Sequence, residues 1–202
     1  SQILEDHGKQ DLIFSANCMC HIQDLDDAFT AIKALLSDDG VFVFEDPALD
    51  KMIERNSYDQ IYDEHAHIFS VTALKNILNN NGLDIFRVDN LSVHGGTNRL
   101  YVKHKNNNKF SIQTSVDLNL QREQELGLKK YSTYIKFAEK VKQSKSDLVN
   151  LLDTLKKQGK KIVSYGATSK STTVFNYCGI TTDQIDYIVD TTPHKQGKLS
   201  PG

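Results

Sequence analysis

The sequence holds only three cysteines, Cys18, Cys20 and Cys178. They cannot build a paired disulfide framework, and Cys18-x-Cys20 without a second pair is a poor zinc site, so no metal ligands are assigned within this chain. A reducing cytoplasm is the expected location. No run of about eighteen apolar residues exists, which excludes a membrane-spanning helix. The first residues, Ser1-Gln2-Ile3-Leu4-Glu5-Asp6, lack the basic and apolar regions of a signal peptide. Charge of one sign is also lacking: 24 basic and 26 acidic side chains leave a net charge of -2. That balance points away from nucleic acid and from membrane surfaces as partners. There is no internal repeat, and no low-complexity tract beyond Asn106-Asn107-Asn108. Hydrophobic residues make up 39% and charged residues 25%, ordinary for a globular protein with a real core. The length allows one large domain or two small ones.

What is present alternates between strand and helix signals. Asp11 to Ala16 is an apolar run expected to form a buried strand. Asp24 offers an N-cap, and Leu25, Ala28, Phe29, Ile32, Leu35 and Leu36 repeat at helical spacing. Asp38-Asp39-Gly40 is expected to stop that helix, and Val41 to Phe44 to form the next strand. Strand, helix and strand in so short a stretch make a βαβ unit with parallel strands. Ser70 and Asn81-Gly82 bracket a further helix. Leu83 to Leu91 and Arg99 to His104 read as two strands around the loop Ser92 to Asn98, able to pair as a hairpin. Asn106 to Lys109 is a polar break and the candidate domain boundary. From about Asp117 to Lys157 two charged helices are expected. Leu118, Leu126, Tyr131, Tyr134, Ile135, Phe137, Ala138 and Val141 form one apolar face, and Leu148, Leu151, Leu152 and Leu155 another. Ile162 to Tyr165, Thr172 to Cys178 and Ile185 to Asp190 begin a second βαβ unit.

Two stretches carry chemistry. Tyr58-Asp59-Gln60-Ile61-Tyr62-Asp63-Glu64-His65 follows a strand that ends in Glu45-Asp46-Pro47. The space past a strand's carboxyl end is where open α/β sheets place ligands. On a helix, Tyr58, Tyr62 and His65 would share one face. Glu64 and His65 would not, so the stretch is either a loop there or Glu64 faces a substrate. The second stretch is Gly166-Ala167-Thr168-Ser169-Lys170-Ser171, a glycine turn that feeds a helix N-terminus. Free N–H groups and the helix dipole favour an anion there, with Ser169 and Lys170 as phosphate contacts. It is not a G-x-G-x-x-G, so dinucleotide binding is not implied. His7, His67, His104 and His194 are expected at the surface.

These stretches, together with His94-Gly95-Gly96-Thr97-Asn98-Arg99 and Asn176-Tyr177-Cys178-Gly179-Ile180, resemble S-adenosylmethionine-dependent sugar C-methyltransferases. Such enzymes act on nucleotide-linked ketosugars in deoxysugar pathways, and the motifs follow in order through nearly the whole chain. The resemblance implies an α/β fold: the C-terminal half of a class I, Rossmann-like methyltransferase sheet, then helices, then a partial second Rossmann-like βαβ domain. It divides the chain into residues 1–107, a helical connection at 108–158, and the start of the C-terminal domain at 159–202. Zinc is expected only in an N-terminal cysteine module, and most of the S-adenosylmethionine site in the first half of the sheet. Neither is matched here, so the chain resembles a fragment of a longer protein.

Methylating carbon requires a base for the proton beside a ketone, a donor for the developing oxyanion, and in-line placement of the methyl. By resemblance His65 is the base, Tyr62 and Glu64 stand beside it, and His21 is a second catalytic histidine. Ala16 and Asn17 flank the methyl donor's methionine end. His94, Gly95, Gly96 and Arg99 contact the sugar nucleotide, and Ser169 and Lys170 its diphosphate. Two other readings stay open: a nucleotide-sugar binding module without catalysis, and a methyltransferase acting on oxygen or nitrogen. The sugar, the nucleotide and the oligomeric state are not legible.

Overall fold

The computed structural model describes residues 2–201. They fall into two compact units, one of residues up to Arg55 with Glu64–Thr133, the other of Asn56–Asp63 with the residues from Tyr134 on.

The first unit begins with helix α1 (Gln2–His7) and strand β1 (Gln10–Ala16). Helix α2 (Leu25–Leu35) starts as expected: the Asp24 carboxylate accepts the Asp27 N–H at 2.9 Å. It ends earlier than expected. Strand β2 runs Leu36–Pro47 and takes in Ser37 to Gly40. Gln10 pairs with Leu36 and Leu12 with Val41, so Ser37 to Gly40 bulge out between the two pairings. Gly40 is a packing glycine, not a helix stop: an added Cβ would lie 2.9 Å from the Gln10 carbonyl. Two helices were not legible, α1 and the short α3 (Leu49–Arg55). Helix α4 (Val71–Asn80) has the Ser70 cap, whose hydroxyl accepts the Ala73 N–H at 3.1 Å. Strands β3 (Leu83–Leu91) and β4 (Thr97–His104) form the expected hairpin, with β4 two residues longer than expected.

The sheet order is β1-β2-β4-β3, with β1 and β2 parallel and β4 antiparallel to both neighbours. This is the Rossmann-like α/β half-sheet expected from the motifs. Phe42, Phe44, Leu83, Ile85, Leu100 and Val102 are buried on it, against Phe29 of α2 and Val71, Leu74 and Leu78 of α4. Each such side chain contributes about 1.5–3 kcal/mol on burial. Leu100 and Val102 share a face, as the period of two requires.

Helix α5 (Thr114–Leu126) departs from the expected pattern. Leu118 is exposed, while Val116, Asn119 and Glu123 are buried. Glu123 explains the difference. Its carboxylate accepts the Val71 N–H at 2.6 Å and the Thr72 N–H at 2.8 Å, closing the N-terminus of α4. Tyr131, Tyr134 and Ile135 at the start of α6 (Tyr131–Lys157) are also exposed, so the apolar face expected there is incomplete. His67 and His104 are not simple surface residues. His67 stacks on Phe69 at 5.7 Å, and His104 Nε2 lies 3.2 Å from the Leu36 carbonyl.

The second unit pairs β5 (Val163–Tyr165) with β6 (Tyr187–Val189) in parallel, with α7 (Ser169–Cys178) between them in sequence. Leu152 of α6, Cys178 and Ile180 form its buried centre, with Leu148, Val149, Ile162 and Phe175 packed around them. Among the described residues no helix is long and apolar enough to cross a membrane.

Candidate functional site

Most of the residues singled out in the first unit lie at one edge of the sheet. Across that edge Ala16 pairs with Glu45, Glu45 with Arg99, and Arg99 with Asp89. The Arg99 guanidinium is tied to Glu45: Nε and Nη2 each lie 2.9 Å from Oε2. Arg99 is therefore neither a solvated strand residue nor an unengaged cation. Its charge is neutralised by a partner that the sequence showed only as part of an acid-rich strand end.

Past Ala16 the chain turns sharply. Asn17 takes a left-handed φ of 49°, which asparagine tolerates better than most residues. Its N–H donates to the Glu45 carbonyl at 2.7 Å. A single 3-10 turn, Met19–His21, follows. Met19 and Cys20 point inward and are buried, which leaves His21 exposed. Asp46, 2% exposed, accepts the Cys20 N–H on Oδ1 at 3.2 Å, while its Oδ2 has no hydrogen-bond partner. Burial pushes the Asp46 carboxyl above the ordinary range, against the hydrogen bonds it receives from Cys20. Burial, followed by the Asp46 carboxylate, pushes the Cys20 thiol far up. Neither residue stood out in the sequence beyond the acid-rich strand end and the dismissed cysteine pair.

His21 meets the Tyr58–His65 stretch. Its Nδ1 donates to the Glu64 carbonyl at 2.6 Å, since a carbonyl can only accept. This fixes the tautomer and leaves Nε2 with its lone pair. The His21 and His65 rings lie 5.1 Å apart at 52°. The His67 N–H donates to the Cys20 carbonyl at 3.0 Å, a second tie between the two segments. One sulfur or nitrogen each from Cys20, His21 and His65 lie within 4.8 Å of one another.

The helical face imagined for Tyr58, Tyr62 and His65 does not exist. Only Tyr58–Gln60 forms a 3-10 turn, and the chain then runs through turns to Ser70. Glu64 serves His21 through its backbone, and its side chain is exposed. Tyr58 and Tyr62 belong to the second unit, Glu64 and His65 to the first. Within the second unit Tyr58 Oη is 3.6 Å from Cys178 Sγ, and its ring is 5.5 Å from that of Tyr177. Burial, then the Cys178 thiol, push this phenol up to about 12. Tyr58 is thus a packing residue.

The loop after β3 holds His94, Gly95 and Gly96 in three consecutive positive-φ conformations, 50°, 81° and 126°. The Gly95 carbonyl accepts Arg55 Nη1 at 2.6 Å, and the Gly96 carbonyl accepts the Ala48 N–H at 3.1 Å. A Cβ on Gly96 would sit 2.6 Å from Lys51 Cβ. The glycines therefore seat the loop against α3, whatever else approaches it.

Ser169 and Lys170 open α7; the helix starts three residues before the expected Thr172. Thr168 and Ser171 cap it reciprocally, the Thr168 hydroxyl accepting the Ser171 N–H at 3.2 Å and Ser171 Oγ the Thr168 N–H at 2.9 Å. Asp190 accepts the Ala167 N–H at 2.8 Å and the Thr192 N–H at 2.8 Å. Those bonds, Thr192 foremost, hold its carboxyl down to about 2. The turn thus supplies much of its own anion, and the N–H groups of Ser169 and Lys170 are those that helix geometry leaves for a ligand.

Residues 1–88 match the model of a methyltransferase domain, and residues 92–202 that of a C-methyltransferase C-terminal domain. The C-methyltransferase NovU of Streptomyces niveus is 29% identical over 201 residues, covering 100% of this chain and 48% of that protein. The chain thus spans about half the length of the curated relative it matches. Among solved structures, magnesium protoporphyrin IX methyltransferase from Synechocystis PCC 6803, with bound SAH, superposes with a TM-score of 0.36 at 14% identity. That superposition covers 46% of this chain and 44% of that one. The match over residues 92–202 takes in more than half of the chain, which therefore belongs to the family that carries the C-methyltransferase C-terminal domain.

Proposed function

We propose that the chain is the catalytic and substrate-binding part of an S-adenosylmethionine-dependent C-methyltransferase. Its acceptor is the carbon beside the ketone of a nucleotide-linked deoxyketosugar. The observation that carries this reading is the His21–His65 pair at the carboxyl edge of the half-sheet, with His21 oriented by the Glu64 carbonyl. The C-methyltransferase match and the likeness to NovU support the reaction class. The sugar nucleotide rests on the resemblance of the motifs.

The methyl donor, when bound, supplies an electrophilic methyl group. Ala16 and Asn17 fit its methionine end: Ala16 ends β1 and Asn17 follows it, both exposed, and the left-handed Asn17 turns the chain aside. His65 takes the proton from the carbon beside the ketone. The Nδ1–H bond to the Glu64 carbonyl keeps the His21 ring aimed, and once Nε2 has taken up a proton the imidazolium donates it to the substrate oxygen as negative charge develops. Glu45 keeps Arg99 fixed at the same edge, so its remaining guanidinium N–H groups can receive a polar group of the sugar nucleotide. In the second unit, the Ser169 and Lys170 N–H groups and the Lys170 ammonium suit a diphosphate oxygen.

The test is solvent-deuterium exchange into a nucleotide-linked ketosugar by the full-length protein, with a non-reactive donor analogue bound. Exchange that His65→Gln abolishes, with sugar-nucleotide binding retained, is the expected result. Absence of exchange in the unsubstituted protein would sink the enolate mechanism.

A further inference from the structure

We propose that Cys20, His21 and His65 form a binding site for a soft divalent cation of the zinc class. Three observations carry it. The donor set is chemically right: one thiol and two imidazoles are ligands that zinc accepts in tetrahedral sites, at about 2.3 Å from sulfur and 2.0–2.1 Å from nitrogen. The spacing is nearly right. The three donor atoms lie within 4.8 Å of one another, and tetrahedral ligation at those bond lengths wants them roughly 3.5 Å apart. About 1 Å of contraction closes the gap. His65 is placed to supply it, because it sits in the irregular segment between two turns and α4 rather than in a helix or strand. The outer contacts are also those of a ligand. His21 donates Nδ1–H to a backbone carbonyl at 2.6 Å, the arrangement that fixes the tautomer of a metal-binding histidine and leaves the other nitrogen for the ion.

Asp46 completes the picture. It is 2% exposed, holds the Cys20 backbone through Oδ1, and keeps Oδ2 without a hydrogen-bond partner. The buried Cys20 thiol beside this buried carboxylate has an acceptor for its proton. On metal binding the Cys20 S–H bond breaks, a sulfur–metal bond forms, and the proton passes to the Asp46 carboxylate. Cys18, exposed and outside the cluster, takes no part.

Binding itself does not depend on the proposed function, but one consequence does. An imidazole whose lone pair is on a metal cannot take a proton from carbon. The metal-bound protein is therefore inactive, and a chelator restores it.

Cobalt(II) titration of the full-length protein tests the site through the thiolate-to-cobalt charge-transfer absorption. The Cys20→Ser protein should lose one equivalent of that absorption relative to the unsubstituted protein; cysteines elsewhere contribute equally to both and cancel. His21→Gln, at an exposed position, should weaken the same equivalent by at least about tenfold, since losing even an outer partner of a ligand costs about 10–100-fold. Equal stoichiometry and equal spectra in all three proteins overturn the proposal. If Cys20→Ser loses its native circular dichroism, His21→Gln decides alone. The cobalt signal and the deuterium exchange fail separately: cobalt binding without exchange removes the enolate reading only, and exchange without cobalt binding removes the metal site only.

Discussion

Glu123→Ala should be the most damaging single substitution in α5. The carboxylate is 2% exposed and accepts two backbone N–H groups, of Val71 at 2.6 Å and Thr72 at 2.8 Å. Ser70 Oγ takes the third, from Ala73. Truncation leaves the first two N–H groups of α4 without acceptors, and Val71 is wholly buried, so water does not replace what is lost. A buried donor left unsatisfied costs about 1–3 kcal/mol, and losing a negative charge from a helix N-terminus about 0.3–1 kcal/mol more. For two donors and the charge the sum, about 2–7 kcal/mol, is a large share of the ~5–15 kcal/mol that holds a domain folded. Glu123→Gln keeps one acceptor oxygen and should cost about 1–2 kcal/mol. Urea denaturation should show the midpoint falling in that order with an unchanged slope. Amide exchange should accelerate first at Val71 and Thr72. The His65–His67 segment leads straight into this helix, so the His67–Cys20 bond and the neighbouring His21–Glu64 bond should loosen as well. A loss below about 1 kcal/mol for the alanine variant, or a glutamine variant as unstable as the alanine one, would refute the reasoning.

Asp46→Asn should stabilise the protein at neutral pH. The Asp46 carboxyl is raised by burial, so the folded state binds the extra proton, and stability is greatest below the ordinary carboxylate value and falls as pH rises through the raised one. Urea midpoints of the two proteins between about pH 4 and pH 7 should converge at the acid end. Asp190→Asn acts in the opposite sense. Its folded value is depressed to about 2, so its contribution is present above the ordinary value near 3.8 and is lost as pH falls between the two. The acid-unfolding curve of the second unit should flatten in the asparagine variant, followed by near-ultraviolet circular dichroism of its tyrosines. Gly96→Ala should cost at least about 2 kcal/mol, because φ is 126° and the new methyl meets Lys51 Cβ. Thermal unfolding measures it, and a cost near zero would mean that the loop sits elsewhere.

Most of the strands and the caps were legible because they depend on neighbours in sequence, although β1, expected to be buried, leaves Leu12 and Phe14 exposed. Leu83–Leu91 alternates, Asp24 and Ser70 are caps by composition, and Gly179 ends α7 in the left-handed conformation that its type predicts. What escaped depends on distant partners. Ser37 to Gly40 read as a helix stop, yet β1 draws Leu36 into the sheet and the turn residues bulge within it. Leu118 kept helical register with apolar neighbours, but a buried charge, Glu123, decides which face of α5 turns inward. In the site, His21 and His65 were picked out one by one; their juxtaposition hangs on a backbone carbonyl, and any residue type at Glu64 supplies one. Arg99 looked available because the acid that pairs with it lies on another strand.

The assignment of Asn56–Asp63 to the second unit has a consequence for the order of folding. As the chain leaves the ribosome, Tyr58 emerges well before Cys178 and Tyr177, its partners. The second unit cannot close until the rest of the first has been synthesised, and closing it traps Glu64–Thr133 as a loop. A loop that is already folded costs little to close, because its ends are held and each doubling of length in a flexible loop adds only about 0.6 kcal/mol. An unfolded one also has to compete with its own collapse. A lesion in the β1–β4 core, by leaving that loop unfolded, should therefore delay the appearance of the Tyr58–Cys178 contact even though neither residue belongs to that core.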